Sequence, residues 1–275
     1  MRLATVITEA GSTAAALDED GIWRRLPAPD LSALMAAGPI RLDDLTDPLL
    51  GAVPVQPLPS PGKVVCCGLN YGDHIFEMGR ELPAYPTLFT KYADTLIGPG
   101  EPIELPAGLK VDWEAELAVV VGTALWRAGR DVAAAAIAGY TVANDVSVRD
   151  WQNRTSEWFQ GKAWDRSTPI GPVIVTPDEV DVAAGVEVIC RVNGEEVQRG
   201  STRTLVFDPA DLLAYISTFT ILRPGDVVLT GTPGGVGAGR KPPRYLVDGD
   251  VVETEIPGIG TLRNAVAFHA GPAHQ

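Results

Sequence analysis

Short apolar runs broken by turn residues dominate this chain, and helical periodicity is confined to a few stretches. Arg2–Thr8 reads as a strand, Gly11 begins a turn, and Thr13–Leu17 is placed to pair back. Leu31–Ala37 reads as a short helix. The segment AVPVQPLPSPG, with prolines at 54, 57, 59 and 61, is predicted to be extended and outside any central sheet, because proline lacks the amide donor. It is read as a linker between a small N-terminal domain, residues 1–60, and a main body, residues 61–275.

In the main body, Lys63–Gly68 is predicted as a strand, followed by a loop and short helix around Asp73–Met78. Ile103–Leu105 and Glu114–Val121 are predicted strands. The second ends in LAVVV, an apolar run typical of a strand buried on both faces. Asp131–Ala138 reads as an alanine-rich helix with Asp131 as N-cap and Gly139 as its stop, and Tyr140–Asn144 as the next strand. Asn193-Gly194 between ICRV and EEVQ is a hairpin signal. Asp208-Pro209 opens a helix whose apolar positions Leu212, Leu213, Ile216 and Phe219 recur at helical spacing. Strands Asp226–Thr230 and Val251–Ile256 follow. The pattern is α+β, rich in β.

Composition sharpens this. With 29 glycines and 23 prolines in 275 residues, short strands and turns fit better than a helical bundle. The formal net charge of −13 argues against nucleic acid and against an anionic membrane surface as partners. It leaves room for a small anionic ligand, because a bound cation can reverse a local field. No apolar run is long enough to span a bilayer, and the start MRLATVITEAG does not read as a signal peptide, so a cytoplasmic protein is expected. Three cysteines, Cys66, Cys67 and Cys190, make neither a disulfide framework nor a zinc pattern and are expected to be buried.

Several stretches carry candidate chemistry. In VDWEAELAVVV, Glu114 and Glu116 share one strand face, opposite Trp113, Ala115 and Leu117. Two carboxylates ~4 Å apart repel by roughly 4 kcal/mol at an effective dielectric of 20, so either water screens them or a cation lies between. Asp145 ends an apolar strand in TVANDVSVRDWQ. It either caps a loop or pairs with Arg149, or else completes an oxygen cage suited to Mg²⁺ or Mn²⁺, with Ca²⁺ also compatible. His74 and Glu77 are three apart in a helix-like stretch, where a carboxylate can fix the imidazole tautomer for proton transfer. His269 and His274 are expected in a frayed tail, which leaves His74 as the candidate base. Lys162, between Gly161 and aromatics, is either a surface lysine or a buried charge able to stabilise an oxyanion. Trp151, Trp158, Phe159 and Trp164 are expected to pack. LTGTPGGVGAG is either a tight turn or an anion-binding loop, and it fits neither nucleotide-binding fingerprint.

Taken in order over roughly residues 61–265, GLNYGDHIFEMG, PTLFTKYADTLIGPGEPIELP, VDWEAELAVVVG, YTVANDVSVRDWQ, GKAWDRSTPIGPVIV, VNGEEVQRGST and LRPGDVVLTGTPGGVG resemble the fumarylacetoacetate hydrolase superfamily, in its bacterial acylpyruvase and 2-hydroxyhepta-2,4-diene-1,7-dioate isomerase-like branch. The resemblance implies a mixed β-sandwich roll, a small variable N-terminal domain and a homodimer. It implies that Glu114, Glu116 and Asp145 bind Mg²⁺ or Mn²⁺. His74 and Glu77 would lie on a lid, Lys162 would be catalytic, and Arg149, Gln152, Thr232 and Tyr71 would contact substrate. Arg80 and Tyr92 fall where subfamilies set specificity. The expected reaction is hydrolysis of a C–C bond in a β-diketo acid such as an acylpyruvate. His74 would activate water, and pyruvate and a carboxylic acid would be released. Decarboxylation of an oxaloacetate-like acid, or isomerisation of a 2-hydroxy-dienoate, is the alternative on the same site.

Overall fold

The structure is a computed structural model that describes residues 1–72, Ile75 and 81–270. Among the described residues, eleven strands form one large mixed sheet and five form a second. In the large sheet the order runs Trp23–Arg25, Gly11–Leu17, Arg2–Thr8, Thr168–Val175, Ile137–Asn144, Ala115–Val121, Val227–Leu229, Val64–Gly68, Thr87–Lys91. The second runs Glu195–Ser201, Glu187–Val192, Val251–Ile256, Gly260–His269, Ile103–Pro106. The architecture is a mixed β-sandwich with a few short helices.

Ala115–Val121 lies at the centre, and every residue in it is buried. Leu117, Val119 and Val121 pack in a core shared with Val188, Cys190, Val252 and Leu262 of the second sheet. Ala118 and Val120 join the opposite core, with Leu31, Leu34 and Met35 of the helix Leu31–Ala37. The alternation of side chains along a strand thus feeds two cores at once, as the run LAVVV requires. All three cysteines are buried and free.

The N-terminal strands are part of the large sheet. Arg2 and Leu3 pair with Val175 and Ile174. The proline-rich segment is extended but, against expectation, its start joins the large sheet: Val53 and Pro54 pair with Ile7 and Val6, and the Val55 amide donates to Thr5 O beside the proline that cannot, while Leu58 is fully buried. Thr5 ties three pieces together. Its hydroxyl donates to Pro57 O (2.7 Å) and accepts from the Leu31 amide (3.0 Å), while its carbonyl accepts from Val55 N.

Most expected elements are present, with instructive shifts. The alanine-rich helix spans only Arg130–Ala135, capped by Gly129 without a side-chain bond, and not Asp131–Ala138. Ile137 and Gly139 instead pair with Val121 and Val120 in the central ladder, so sheet hydrogen bonds override alanine's helix preference. The helix after Asp208 ends at Ser217, leaving Phe219 exposed beyond it. His269 is the last residue of the strand Gly260–His269 and is ordered by pairing with Pro106, so it does not lie in a frayed tail. The expected helix around Asp73–Met78 and the tail residue His274 lie outside the described residues. No helix among the described residues is long and apolar enough to cross a membrane.

Thr5→Val keeps the shape of this buried side chain but leaves the Leu31 amide and the Pro57 carbonyl without their partner. A loss of about 2 kcal/mol in urea unfolding, with unchanged m value, is expected. An unchanged midpoint would show that Thr5 does not join the strand to the helix and the proline-rich segment.

Candidate active site

The candidate carboxylates converge because of strand register. Ala115 pairs with Asn144, and the ladder continues one step further, where the Asp145 amide donates to Glu114 O (2.8 Å). Asn144 reinforces that end by accepting from the Glu114 amide (2.9 Å) and donating to Thr254 Oγ1 (2.9 Å). Glu114 and Glu116, two apart, project to the same side. One oxygen from each of Glu114, Glu116 and Asp145 lies within 4.8 Å of the others, and all three residues are buried. Next to Ala115–Val121, the chain leaving Val227–Leu229 adds the Gly231 amide, which donates to Glu116 Oε2 (2.7 Å).

Cations surround the cluster. Lys162 is 2% exposed, and its Nζ lies 2.8 Å from Glu114 Oε2 and 2.7 Å from Asp145 Oδ2. Lys162 is therefore a buried charge and not a surface lysine. Its short helix, Phe159–Lys162, lies against the helix Arg149–Gln152, and Gly161 permits the approach: a Cβ there would stand 2.4 Å from Gln152 Cβ. Lys91, a residue the motif reading passed over, reaches Asp145 Oδ1 at 2.9 Å and donates to Val146 O and Thr168 Oγ1. Arg149 places NH1 2.7 Å from Glu114 Oε1 and Nε 2.8 Å from Asp112 Oδ2. The same NH1 donates to Gln152 Oε1 (2.8 Å). Since a guanidinium only donates, the Gln152 carbonyl must face Arg149, and its NH₂ is left for the cleft.

Glu114, Glu116, Arg149, Gln152 and Lys162 line a cleft of about 710 Å³, together with Cys67, Phe89, Trp158, Thr232 and the turn residues Gly235, Val236, Ala238 and Gly239. That is a volume suited to a small molecule. Thr232 is in place, but its hydroxyl donates to Ala115 O (2.9 Å) and accepts from Gln198 Nε2 (2.8 Å). Tyr71 is buried and lines a second cleft of about 390 Å³ with Gln198, Gly200 and Pro233, not the cleft that holds the carboxylates. Tyr92 is exposed and packs edge-on against Phe159. Of the aromatic run, Trp151 and Trp164 pack edge to face, and Trp158 packs edge-on against Phe89 while also lining the cleft. His74, Glu77 and Arg80 lie outside the described residues.

The electrostatics decide what the cluster can hold. Burial, with the adjacent Asp145 and Glu114 carboxylates, pushes Glu116 well above the usual carboxylate range. Burial alone would do the same to Asp145, but the Lys162 and Lys91 ammoniums hold it below its ordinary value. Lys162 loses by burial yet is raised by Asp145 and Glu114, so it stays protonated. Four carboxylates, counting Asp112, thus face three cations, and the environment favours a proton on Glu116. A divalent cation fits in that proton's place: the donors are all carboxylate oxygens, and no histidine or cysteine among the described residues belongs to the group.

Residues 63–267 match the family model described as fumarylacetoacetate (FAA) hydrolase C-terminal. Among curated proteins, the chain is 46% identical over 215 residues to human oxaloacetate tautomerase FAHD2A, mitochondrial, covering 77% of this chain and 68% of that protein. Among solved structures it is similar to fumarylacetoacetate hydrolase from psychrophilic Exiguobacterium antarcticum, with a TM-score of 0.88 and 36% identity. That match covers 98% of this chain and 100% of the other. It is also similar to 5-carboxymethyl-2-hydroxymuconate delta-isomerase from Mycobacterium smegmatis, with a TM-score of 0.82, 35% identity and the same coverage.

Mn²⁺ binding near neutral pH is expected to release a proton, read by calorimetry from the dependence of the binding enthalpy on buffer ionisation enthalpy. Glu116→Gln is expected to fold, to bind Mn²⁺ roughly tenfold more weakly or worse, and to release none. Binding without proton release in the unsubstituted protein would mean that Glu116 is already ionised.

Proposed function

The chain belongs to the fumarylacetoacetate hydrolase family, and from that premise we propose that it is a Mg²⁺- or Mn²⁺-dependent enzyme that interconverts the keto and enol forms of a small 2-oxo acid of the oxaloacetate type. The observation that carries this reading is Lys162, a buried ammonium held protonated beside the carboxylate cluster. A charged donor at that place suits an enolate oxygen.

Glu114, Glu116 and Asp145 would hold the cation, which when bound supplies Lewis-acid polarisation of the 2-oxo group. The three cations of the cluster, with a divalent ion added, outweigh its four carboxylates, so the cleft then selects an anionic ligand. Lys162 Nζ donates to the oxygen on which charge develops, in a dry setting where a preorganised donor counts for most. The free NH₂ of Gln152 supplies a second donor, held in direction by Arg149. In the tautomerisation one proton leaves C3 and one reaches the 2-oxygen, so no atom is gained or lost. His74, oriented by Glu77, is the proposed carrier of that proton. The Thr232 hydroxyl would have to give up its bond to Ala115 O to donate to a substrate carboxylate.

The tautomerase name of the human relative supports this order of preference over hydrolysis, which the reading of motifs alone had placed first. Cleavage of a β-diketo acid to pyruvate and a carboxylic acid is the second reading, favoured by the likeness to the Exiguobacterium hydrolase. Decarboxylation is a third outcome of the same enolate chemistry. A homodimer is proposed on the family resemblance.

The test supplies enol oxaloacetate and acetylpyruvate with Mn²⁺, then with chelator. Metal-dependent loss of enol absorbance without carbon dioxide or pyruvate is expected. Metal-dependent pyruvate plus acetate from acetylpyruvate, with the enol untouched, would replace tautomerisation by hydrolysis. Lys162→Met, assayed with saturating Mn²⁺, is expected to lower kcat by roughly 10²–10³-fold while retaining metal binding. Unchanged kcat would remove Lys162 from the chemistry.

A further inference from the structure

Asp112 lies two residues before Glu114 and is fully buried, yet it is not one of the three clustered metal-ligand candidates. Its strand, Val111–Asp112, pairs with Ser147–Val148, directly before Arg149. The carboxylate collects four donors on two oxygens. Oδ1 accepts from the Trp113 amide (2.9 Å) and the Gly237 amide (2.7 Å). Oδ2 accepts from the Ala238 amide (2.9 Å) and Arg149 Nε (2.8 Å). Ala238 of the turn and Arg149 and Gln152 of the helix Arg149–Gln152 all line the cleft, so one side chain ties two elements of its lining together. The approach depends on glycine: a Cβ on Gly237 would stand 2.8 Å from Asp112 Oδ1 and 2.0 Å from Arg244 O.

The geometry points to Asp112 as a positioning residue that sets the spacing of two elements lining the cleft, acting through Arg149 and through the Gly237–Ala238 turn. We propose that it fixes the distance between the Gln152 donor and the turn, and with it the seating of the 2-oxo acid, while leaving the cation site to other residues. The division of labour follows from the contacts. Asp145 is held by Lys91 and Lys162, and Glu116 by the Gly231 amide, with no bond to Asp112. Glu114 keeps Lys162 even if Arg149 moves. Ligand placement, by contrast, depends on both elements. This role rests on the functional reading above for its substrate, but the cleft geometry stands without it.

Asp112→Asn tests it. An amide must turn an NH₂ toward either the Trp113 and Gly237 amides or the Ala238 amide and Arg149 Nε, all of them donors, so either orientation breaks part of the hold on the turn and one of them also releases Arg149. Gly237→Ala disturbs the same grip from the turn side and keeps the carboxylate; its Cβ meets Arg244 O, so the near-isosteric Asp112→Asn is the variant that keeps the test decisive if the alanine variant fails to fold. For each, Mn²⁺ affinity, oxalate affinity at saturating Mn²⁺, and kcat and KM are measured. Both variants are expected to bind Mn²⁺ within about threefold of the unsubstituted protein. They are expected to bind oxalate roughly tenfold more weakly, and to raise KM more than they lower kcat. In combination they are expected to cost no more than the worse single change. Kinetics and oxalate binding unchanged, with only a lower Tm, would overturn the role. Equal losses of Mn²⁺ and oxalate, or losses that add, would overturn it too. If the unsubstituted protein turns over no 2-oxo acid, the Mn²⁺ and oxalate titrations still decide the inference, and only the functional reading falls.

Discussion

Three carboxylates buried side by side at the end of one strand pair cannot stand without positive charge, and most of the site's architecture answers that demand. Moving such groups from water is costly unless each is paired. The chain meets the cost from several elements at once. Lys91 comes from the edge strand Thr87–Lys91, Lys162 from a one-turn helix, Arg149 from the helix before it, and the Gly231 amide from the turn after Val227–Leu229. The central strand Ala115–Val121 is buried on both faces, which keeps the carboxylates out of solvent and keeps their register with Asn144 and Asp145.

The same arrangement links charge to function. The whole chain carries −13, yet the cleft itself is close to balanced once a proton sits on Glu116. A divalent cation in that place turns the cleft positive and makes it a receptor for a small anion. The protonated Lys162 then faces the region where negative charge develops. The enolate chemistry proposed here needs little else from the described residues than donors fixed in advance on buried side chains. The clamp made by Asp112 sets the spacing of two elements that line the cleft.

How far this was legible in the sequence varies with the physics involved. The both-faces burial of the central strand, the Asn193-Gly194 hairpin and the helix after Asp208 follow from local pattern and were read from it. The end of the Arg130–Ala135 helix was not, because alanine propensity lost to ladder bonds with Val120 and Val121 of the preceding strand, which a local pattern does not show. Glu114, Glu116 and Asp145 were recognisable as a set through ordered motifs, although spacing alone left them open between a wet strand face and a cage. Asp112 had a signal that went unused: Asp112, Glu114 and Glu116 alternate, so all three carboxylates belong to one side of an extended segment. Lys91 had a weaker one, a lysine closing the strand TLFTK on the same face as Phe89. Gln198, which joins Thr232 to the Ala115 amide, lies in a hairpin more than 30 residues from either, and no local pattern marks it.

The account stands or falls on a cation among the three carboxylates. Crystals grown with MnCl₂, with diffraction recorded at the manganese edge, test this directly. One strong anomalous peak within bonding distance of oxygens of Glu114, Glu116 and Asp145 is expected, with Lys91 still on Asp145 and Arg149 still on Asp112. No peak there, or a peak held by other residues, would contradict the account, because the buried carboxylates would then need only the protein's own cations.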